Sequence, residues 1–338
     1  MFALLLFGTL SAQTVTGTVY DENNLALPGA SVYLDGTSTG TVTADDGTFR
    51  LTIASQINTA LVFSFIGYES QLVAGPFKNK RYEVHLKPRT DMLREVVIQK
   101  GGFTRKQMLA IFLKEFLGRS KAGKSCRILN LDDISLRYDY KSNRITAASN
   151  APLKITNPYL GYEIDFNLVE CSITFSSRSV KAADVVSNAF TGTTVFREMS
   201  DPEKVFPERR RKTYQGSGME FFRNLTSGNW GNEYFQLYKC SYPTDPTSHF
   251  EIAYDEGTFK VKVLAEHLEI KGMTLEPRKF YASYNLLYRK RDQSKVIFKT
   301  ETFYVDGFGN TDSPMKIEFS GEISRQRAGD LLPMDYTP

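Results

Sequence analysis

Histidine, cysteine and tryptophan are all scarce in this 338-residue chain: three, three and one. The histidine shortage bears directly on chemistry. A catalytic zinc takes two or three histidines, often with a carboxylate, and needs a separate general base. His85, His249 and His267 are scattered along the chain. H-x-E occurs twice, at His249–Glu251 and His267–Glu269, but the P-C-x-x-C that a zinc deaminase adds is missing. Few histidines also leave few bases for a serine or cysteine nucleophile, and no G-x-S-x-G elbow occurs. No metal site, no cofactor and no catalytic residue is expected, and the chain reads as a non-enzyme.

Strong charge is lacking too. A net charge of +4 over this length is small, so a dedicated nucleic-acid face is not expected. The basic run ERRRK, Glu208–Lys212, reads as a solvated helix face. Long apolar runs are also missing. The apolar stretch Phe2–Gly8 falls short of the ~20 residues that span a bilayer. It precedes small residues ending at Ala12-Gln13, the pattern of a secretory signal peptide over 1–13. The basic residues that usually open such a signal are missing, as in a truncated one. No cysteine follows the run, so a lipid anchor there is not expected. The expected protein is exported, periplasmic or outer-membrane associated, with no membrane span after cleavage and peripheral association with the outer membrane allowed. Cys126, Cys171 and Cys240 allow one disulfide with one thiol left over, and spacing does not choose the pair.

GRSKAGKS, Gly118–Ser125, matches the phosphate-loop pattern letter for letter. That chemistry requires a strand before the loop and a helix after it. Here a helix ends at Gly118 and a strand starts near Cys126, so a flexible basic loop between domains is the expectation.

What is present is strand. In QTVTGTVY, Val15, Gly17 and Val19 alternate with threonines, and Asp35-Gly36 and Asp45-Asp46-Gly47 punctuate the following strands as turns. Short strands at regular spacing without a helix between them predict a β-sandwich over 14–88. The set Gly17-x-Val19-x-Asp21, Pro28-x-Ala30-x-Val32, Gly36-Thr37, Gly40-Thr41, Thr43-x-x-x-Gly47-x-Phe49 and Ile66-Gly67-Tyr68 resembles the carboxypeptidase regulatory-like domain. That resemblance implies an immunoglobulin- or transthyretin-like sandwich, also found ahead of the plug in TonB-dependent receptors, and an accessory role without catalytic residues. LREVVI, Leu93–Ile98, is similar to the segment that follows it there. The family name suggests a zinc carboxypeptidase, but no histidine opens an H-x-x-E pair: the fourth positions are Pro88, Ile252 and Ile270. A receptor barrel of ~22 strands does not fit the 240 residues that follow Ile98.

Residues 89–125 read as a linker strand and helix. Thr104 and Gln107 form a capping box, Gly118 is the stop, and Met108, Leu109, Phe112, Leu113 and Phe116 make the apolar face, widened by Ile111 and Leu117. From 126 to 338 a larger antiparallel β-rich (α+β) domain is expected, as one sheet, strongly curved or partly closed, with helices over an opening. Those helices are placed from Asp201-Pro202 and on GMEFFRNL. PLKITNPYLGYEIDFNL, RKTYQGSGMEFFRNL and RQRAGDLLPMDY resemble segments of envelope proteins carrying the same front domain.

Two functions follow. The first is an exported, non-catalytic structural or binding module, with an envelope protein, peptide or polysaccharide as partner. GNWGNEYF supplies its candidate partner-binding loop: Trp230, Tyr234 and Phe235. The second is an acid–base hydrolase of an envelope or extracellular polymer, with Asp132, Asp133, Glu163 and Asp165 as its carboxylates.

Overall fold

A computed structural model describes residues 13–54, 57–75, 81–89, 102–200, 204–255, 257–264 and 281–338. Most of the signal segment, LREVVI, Asp201-Pro202 and His267 lie outside the described residues.

The front sandwich consists of β1 Gln13–Tyr20, β2 Ser31–Leu34, β3 Gly40–Val42, β4 Thr48–Ile53, β5 Ala60–Ser64, β6 Gln71–Ala74 and β7 Arg81–His85. One sheet runs β4-β1-β7 and the other β3-β2-β5-β6. β1 pairs antiparallel with β4 and parallel with β7. The inward residues Val15 and Val19 meet Val32, Leu34, Phe49 and Phe63 in one core. The threonines between them face outward, as period-two alternation requires.

Helix α1, Arg105–Leu117, begins at the expected capping box. Thr104 Oγ1 accepts from the Gln107 N–H at 3.3 Å, and Gln107 Oε1 accepts from the Thr104 N–H at 2.8 Å. Its deepest residues are Ile111, Phe112, Phe116 and Leu117, while Met108, Leu109 and Leu113 are half-buried, so the buried stripe is turned toward the C-terminal half. Phe116 meets Phe166 and Phe190 edge-on at 5.1 and 5.3 Å. GRSKAGKS is not a flexible loop. Its second half is a short helix, α2 Lys121–Ser125, capped by Ser120.

A six-stranded sheet follows: β8 Arg127–Ile128, β9 Ile134–Asp139, β10 Arg144–Ser149, β11 Leu153–Asn157, β12 Tyr162–Phe175 and β13 Val185–Glu198. β11 and β10 share one edge of β12, and β13 covers the other. Tyr162, Ile164, Phe166 and Leu168 point inward as the alternation predicts. A register shift between Leu168 and Glu170 then exposes Val169 and returns Cys171, Ile173 and Phe175 to the core. Asn167 breaks the pattern by being buried. Its amide donates to Ser70 Oγ at 2.8 Å, because the front sandwich covers it.

Helices α3, Phe206–Tyr214, and α4, Gly218–Ser227, lead into a third body. It has a five-stranded sheet, β15-β14-β18-β19-β21, built from β14 Phe235–Lys239, β15 Tyr242–Pro243, β18 Ala282–Tyr288, β19 Asp292–Phe298 and β21 Ile317–Gly321. A three-stranded sheet, β16-β17-β20, comprises β16 Phe250–Asp255, β17 Thr258–Val263 and β20 Thr302–Asp306. Both sheets and α4 contribute to one core. The region after 126 is therefore two bodies with separate cores, not one curved sheet. The α3–α4 pair divides the strands: among the described residues, those before it and those after it form separate sheets. α3 starts at Phe206 with Pro207 in its first turn, later than the Asp201-Pro202 expectation.

The bodies are joined by backbone hydrogen bonds. Gly36 N–H donates to the Thr194 carbonyl at 2.7 Å and Phe196 N–H to the Thr37 carbonyl at 2.9 Å, so the β2–β3 turn lies along β13 as a short parallel bridge. Gly36 has φ +73°, and a Cβ there would stand 2.5 Å from Met334 Sδ, so both backbone and space require glycine. On the other side, Asp306 Oδ2 accepts from the Asn58 N–H at 2.7 Å, tying the front sandwich to the third body.

Candidate functional site

A cleft of about 630 Å³ opens between the front sandwich, the six-stranded sheet and α3, lined by Ser38, Tyr162, Glu198, Arg210, Arg211 and the tail residues Pro333 and Asp335–Pro338, among others. Strand alternation turns Tyr162 inward on β12, and α3 lays Arg210 over it. The guanidinium carbon is 3.9 Å from the ring centroid. Arg210 also donates to the Leu160 carbonyl at 2.8 Å, the Gly161 carbonyl at 3.2 Å and Glu198 Oε1 at 2.9 Å. The ERRRK run is thus not a uniformly solvated face: Arg210 is only 9% exposed. Burial pushes the Tyr162 hydroxyl well above the usual tyrosine range, although the Arg210 charge opposes the shift.

The tail residues close the cleft. Met334 N–H donates to the Gly36 carbonyl at 2.7 Å, and Asn310 Nδ2 donates to the Met334 carbonyl at 2.9 Å. Arg223, on α4, donates to the Phe308 carbonyl at 2.6 Å and also to the Tyr336 carbonyl. Asn157 Nδ2 reaches the Gly329 carbonyl at 2.9 Å, and Gln326 Nε2 the Thr213 carbonyl at 2.8 Å. Segments 152–168, 211–225 and 325–336 therefore meet in one joint. Burial raises the Asp335 carboxyl above the usual range, against an opposing hydrogen bond from Ser38. At the neighbouring turn burial pushes Asp35 up to about 6, although N–H groups of Thr194 and Gly36 favour its charged form.

The residues singled out in the sequence do not converge here. Phe235 is 1% exposed, in the core of the third body, so its ring is out of reach of a partner. The cause is alternation: Phe235 and Leu237 both point inward from β14. Trp230 is half-buried and meets Phe221 edge-on at 6.1 Å, while Tyr234 is 39% exposed. The carboxylates stay apart in role. Asp165 is held by Lys154 at 2.8 Å and Arg197 at 2.7 Å, and Asp133 accepts from Asn130 at 2.6 Å. Asp132 and Glu163 are exposed, on a 3-10 turn and on β12. His249 is buried with Nε2 2.7 Å from Thr244 Oγ1, and His85 lies on β7. Among the described residues no group of three or more metal-ligating side chains forms.

All three thiols are free; Cys126 and Cys171 are buried and Cys240 is exposed. Burial pushes the thiols of Cys126 and Cys171 up to about 12. In GRSKAGKS, Gly123 packs on Gly329 and on the Leu117 carbonyl, and its N–H is already given to Ser120 Oγ at 2.9 Å. The cleft escaped sequence reasoning because its walls lie near residues 38, 162, 198, 210 and 335, far apart in the chain.

Comparison with known proteins is concentrated at the front. Residues 15–98 match the CarboxypepD_reg-like domain family. TonB-dependent receptor P39 of Formosa agariphila is 38% identical over 100 residues, covering 29% of this chain and 9% of the receptor. TonB-dependent receptor SusC of Bacteroides thetaiotaomicron is 39% identical over 85 residues, 25% of this chain and 8% of the receptor. The chain thus spans about a tenth or less of the curated relatives it matches. It carries a CarboxypepD_reg-like domain, and its fold is mainly β. Among solved structures, a Cyanothece 9R-lipoxygenase aligns at TM-score 0.19 and 9% identity, over 66% of this chain and 49% of that one. A Bacteroides fragilis protein described as membrane-associated and of unknown function aligns at TM-score 0.19 and 11% identity, over 87% and 92%. Likeness at that level carries no argument.

Proposed function

We propose that this chain is an exported, non-catalytic envelope protein, periplasmic or outer-membrane associated, that acts as a rigid structural or partner-binding module. The observation that carries the reading is the joint. The front domain's Asp35–Ser38 turn is spent on internal hydrogen bonds to β13 and the tail, so the domain serves as a fixed part of a larger body. The receptor relatives of that domain support placement in the envelope. A partner would be fitted at the cleft, where Glu198, Asp335 and Arg211 offer both signs of charge and Tyr336 an aromatic ring. Such a lining suits a polar peptide segment or a glycan of the envelope.

The test is fractionation of cells expressing the tagged chain, followed by capture from envelope extract. The wild type is compared with Arg211→Ala/Glu198→Ala, and with Tyr234→Ala for the surviving residue of the aromatic loop. Recovery in the envelope fraction and loss of captured partners with the first pair are expected. A cytoplasmic location, or turnover of an envelope polymer by the purified chain, contradicts the reading.

A further inference from the structure

A second groove is lined in part by the phosphate-loop look-alike, through Gly118, Arg119, Gly123 and Lys124. It holds about 620 Å³ between α1, α2 and β8. Ala110, Leu113, Leu117, Ile128 and Leu131 supply an apolar lining, and Lys114, Lys124 and Arg127 stand around it. Leu129, next in the chain, is 67% exposed. The charge here is lopsided. Residues 105–127 contain seven basic side chains and one acidic, a net +6, whereas the whole chain carries only +4. The remainder is therefore slightly acidic, and the positive charge is concentrated around this groove.

Two of those cations are used internally. Arg119 pairs with Glu115 at 2.6 Å, and Arg105 donates to the carbonyls of Ile134 and Leu131. Lys106, Lys114, Lys121, Lys124 and Arg127 are exposed and form no ion pair among the described residues. Asp132 and Asp133 border the patch at its Leu131 end, so its sign is set by the helical side.

We propose that this groove is a docking surface for an anionic lipid bilayer, with an acyl chain at the apolar floor, the exposed Leu129 beside it and lipid phosphates on Lys114, Lys124 and Arg127. Separated lysines around an apolar centre suit a field of headgroups, which gains about 1 kcal/mol per basic residue near the surface. An acidic peptide would be held better by a sheet edge or by several arginine forks; here β8 has only two residues, Arg105 and Arg119 are engaged, and Arg127 is left as a single fork. The inference rests on the envelope reading for where such a bilayer would be met, but its test is independent of location.

The purified chain is floated with vesicles of phosphatidylcholine alone and of phosphatidylcholine with 30% phosphatidylglycerol, at low and high salt. Binding to the anionic vesicles only, weakened by salt, is expected. Lys114→Gln, Lys124→Gln and Arg127→Gln should each weaken it about fivefold. A control triple, Lys141→Gln/Lys181→Gln/Lys290→Gln, should leave it unchanged. All six positions are exposed, and thermal melts confirm folding of each variant. Equal binding to both vesicle types, no binding, an equal loss in the control triple, or displacement from anionic vesicles by micromolar polyglutamate overturns the proposal. The last result would assign the groove to an acidic protein segment. Failure here with envelope recovery intact would leave the broader reading standing.

Discussion

Arg210 stacks its guanidinium 3.9 Å above the Tyr162 ring while donating to the backbone carbonyls of Leu160 and Gly161. One side chain thereby fixes α3 to the turn that opens β12, at the floor of the cleft. Its partner Glu198 is largely exposed, so that ion pair contributes little; the carbonyl bonds and the ring contact matter more.

Arg210→Ala should therefore be strongly destabilising. It strands the Leu160 carbonyl, weakens the bonding of the Gly161 carbonyl, which keeps the Met199 N–H, and removes the ring contact, at a cost of about 3 kcal/mol. Arg210→Lys should recover only part, because an ammonium lacks the planar fork. Urea unfolding measures both; a loss below about 1 kcal/mol for Ala would contradict the geometry.

The half-buried carboxyl of Asp35 sets a pH dependence. Its folded value is raised to about 6 by burial, above the ordinary 3.8, so the folded state binds more protons between those values. Its contribution is most favourable below pH 3.8 and declines as pH rises to about 6, levelling above that. Burial shifts Glu220, Asp330 and Asp335 in the same direction. Asp35→Asn keeps an acceptor for Thr194 and removes one titration. It should raise stability at pH 7.5 and flatten the slope between pH 4 and 6. A slope identical to wild type in thermal melts across that range would refute the assignment.

Neighbouring aromatic residues should behave oppositely. Phe235→Ala empties a site in the third core and should cost about 3–5 kcal/mol. Tyr234→Ala, at an exposed position, should change stability by less than about 0.5 kcal/mol. Comparable losses for both would place Phe235 outside the core.

Thiol chemistry should sort the cysteines by burial. Cys240 should react quickly with a thiol reagent at pH 8, while Cys126 and Cys171 react only on unfolding. Mass spectrometry of the native protein should find no disulfide. Two fast thiols would contradict the burial of the pair.

The front sandwich was legible because its information is local. Turns such as Asp35-Gly36 require glycine, and alternation in β1 names the buried face without reference to anything distant. The α1 cap was readable for the same reason. Arg210 was not: a basic run looks solvated until Tyr162, far away in sequence, is placed beneath it. Phe235 was misjudged because Gly231 and Asn232 suggested a loop, although Phe235-Gln236-Leu237 already alternates. Asn167 became buried only because a separate body rests on it. Local periodicity identifies elements, whereas a joint among three bodies depends on pairings that no short window contains.

The central claim is that the front domain is fixed to the rest through the Asp35–Ser38 turn. Native-state hydrogen exchange at the amides of Gly36, Thr194 and Phe196 tests it most directly, since all three donate across the joint. Protection matching that of the β12 amides is expected for a fixed domain. Exchange of these three at the rate of an open loop, with β12 still protected, would mean that the front sandwich swings free.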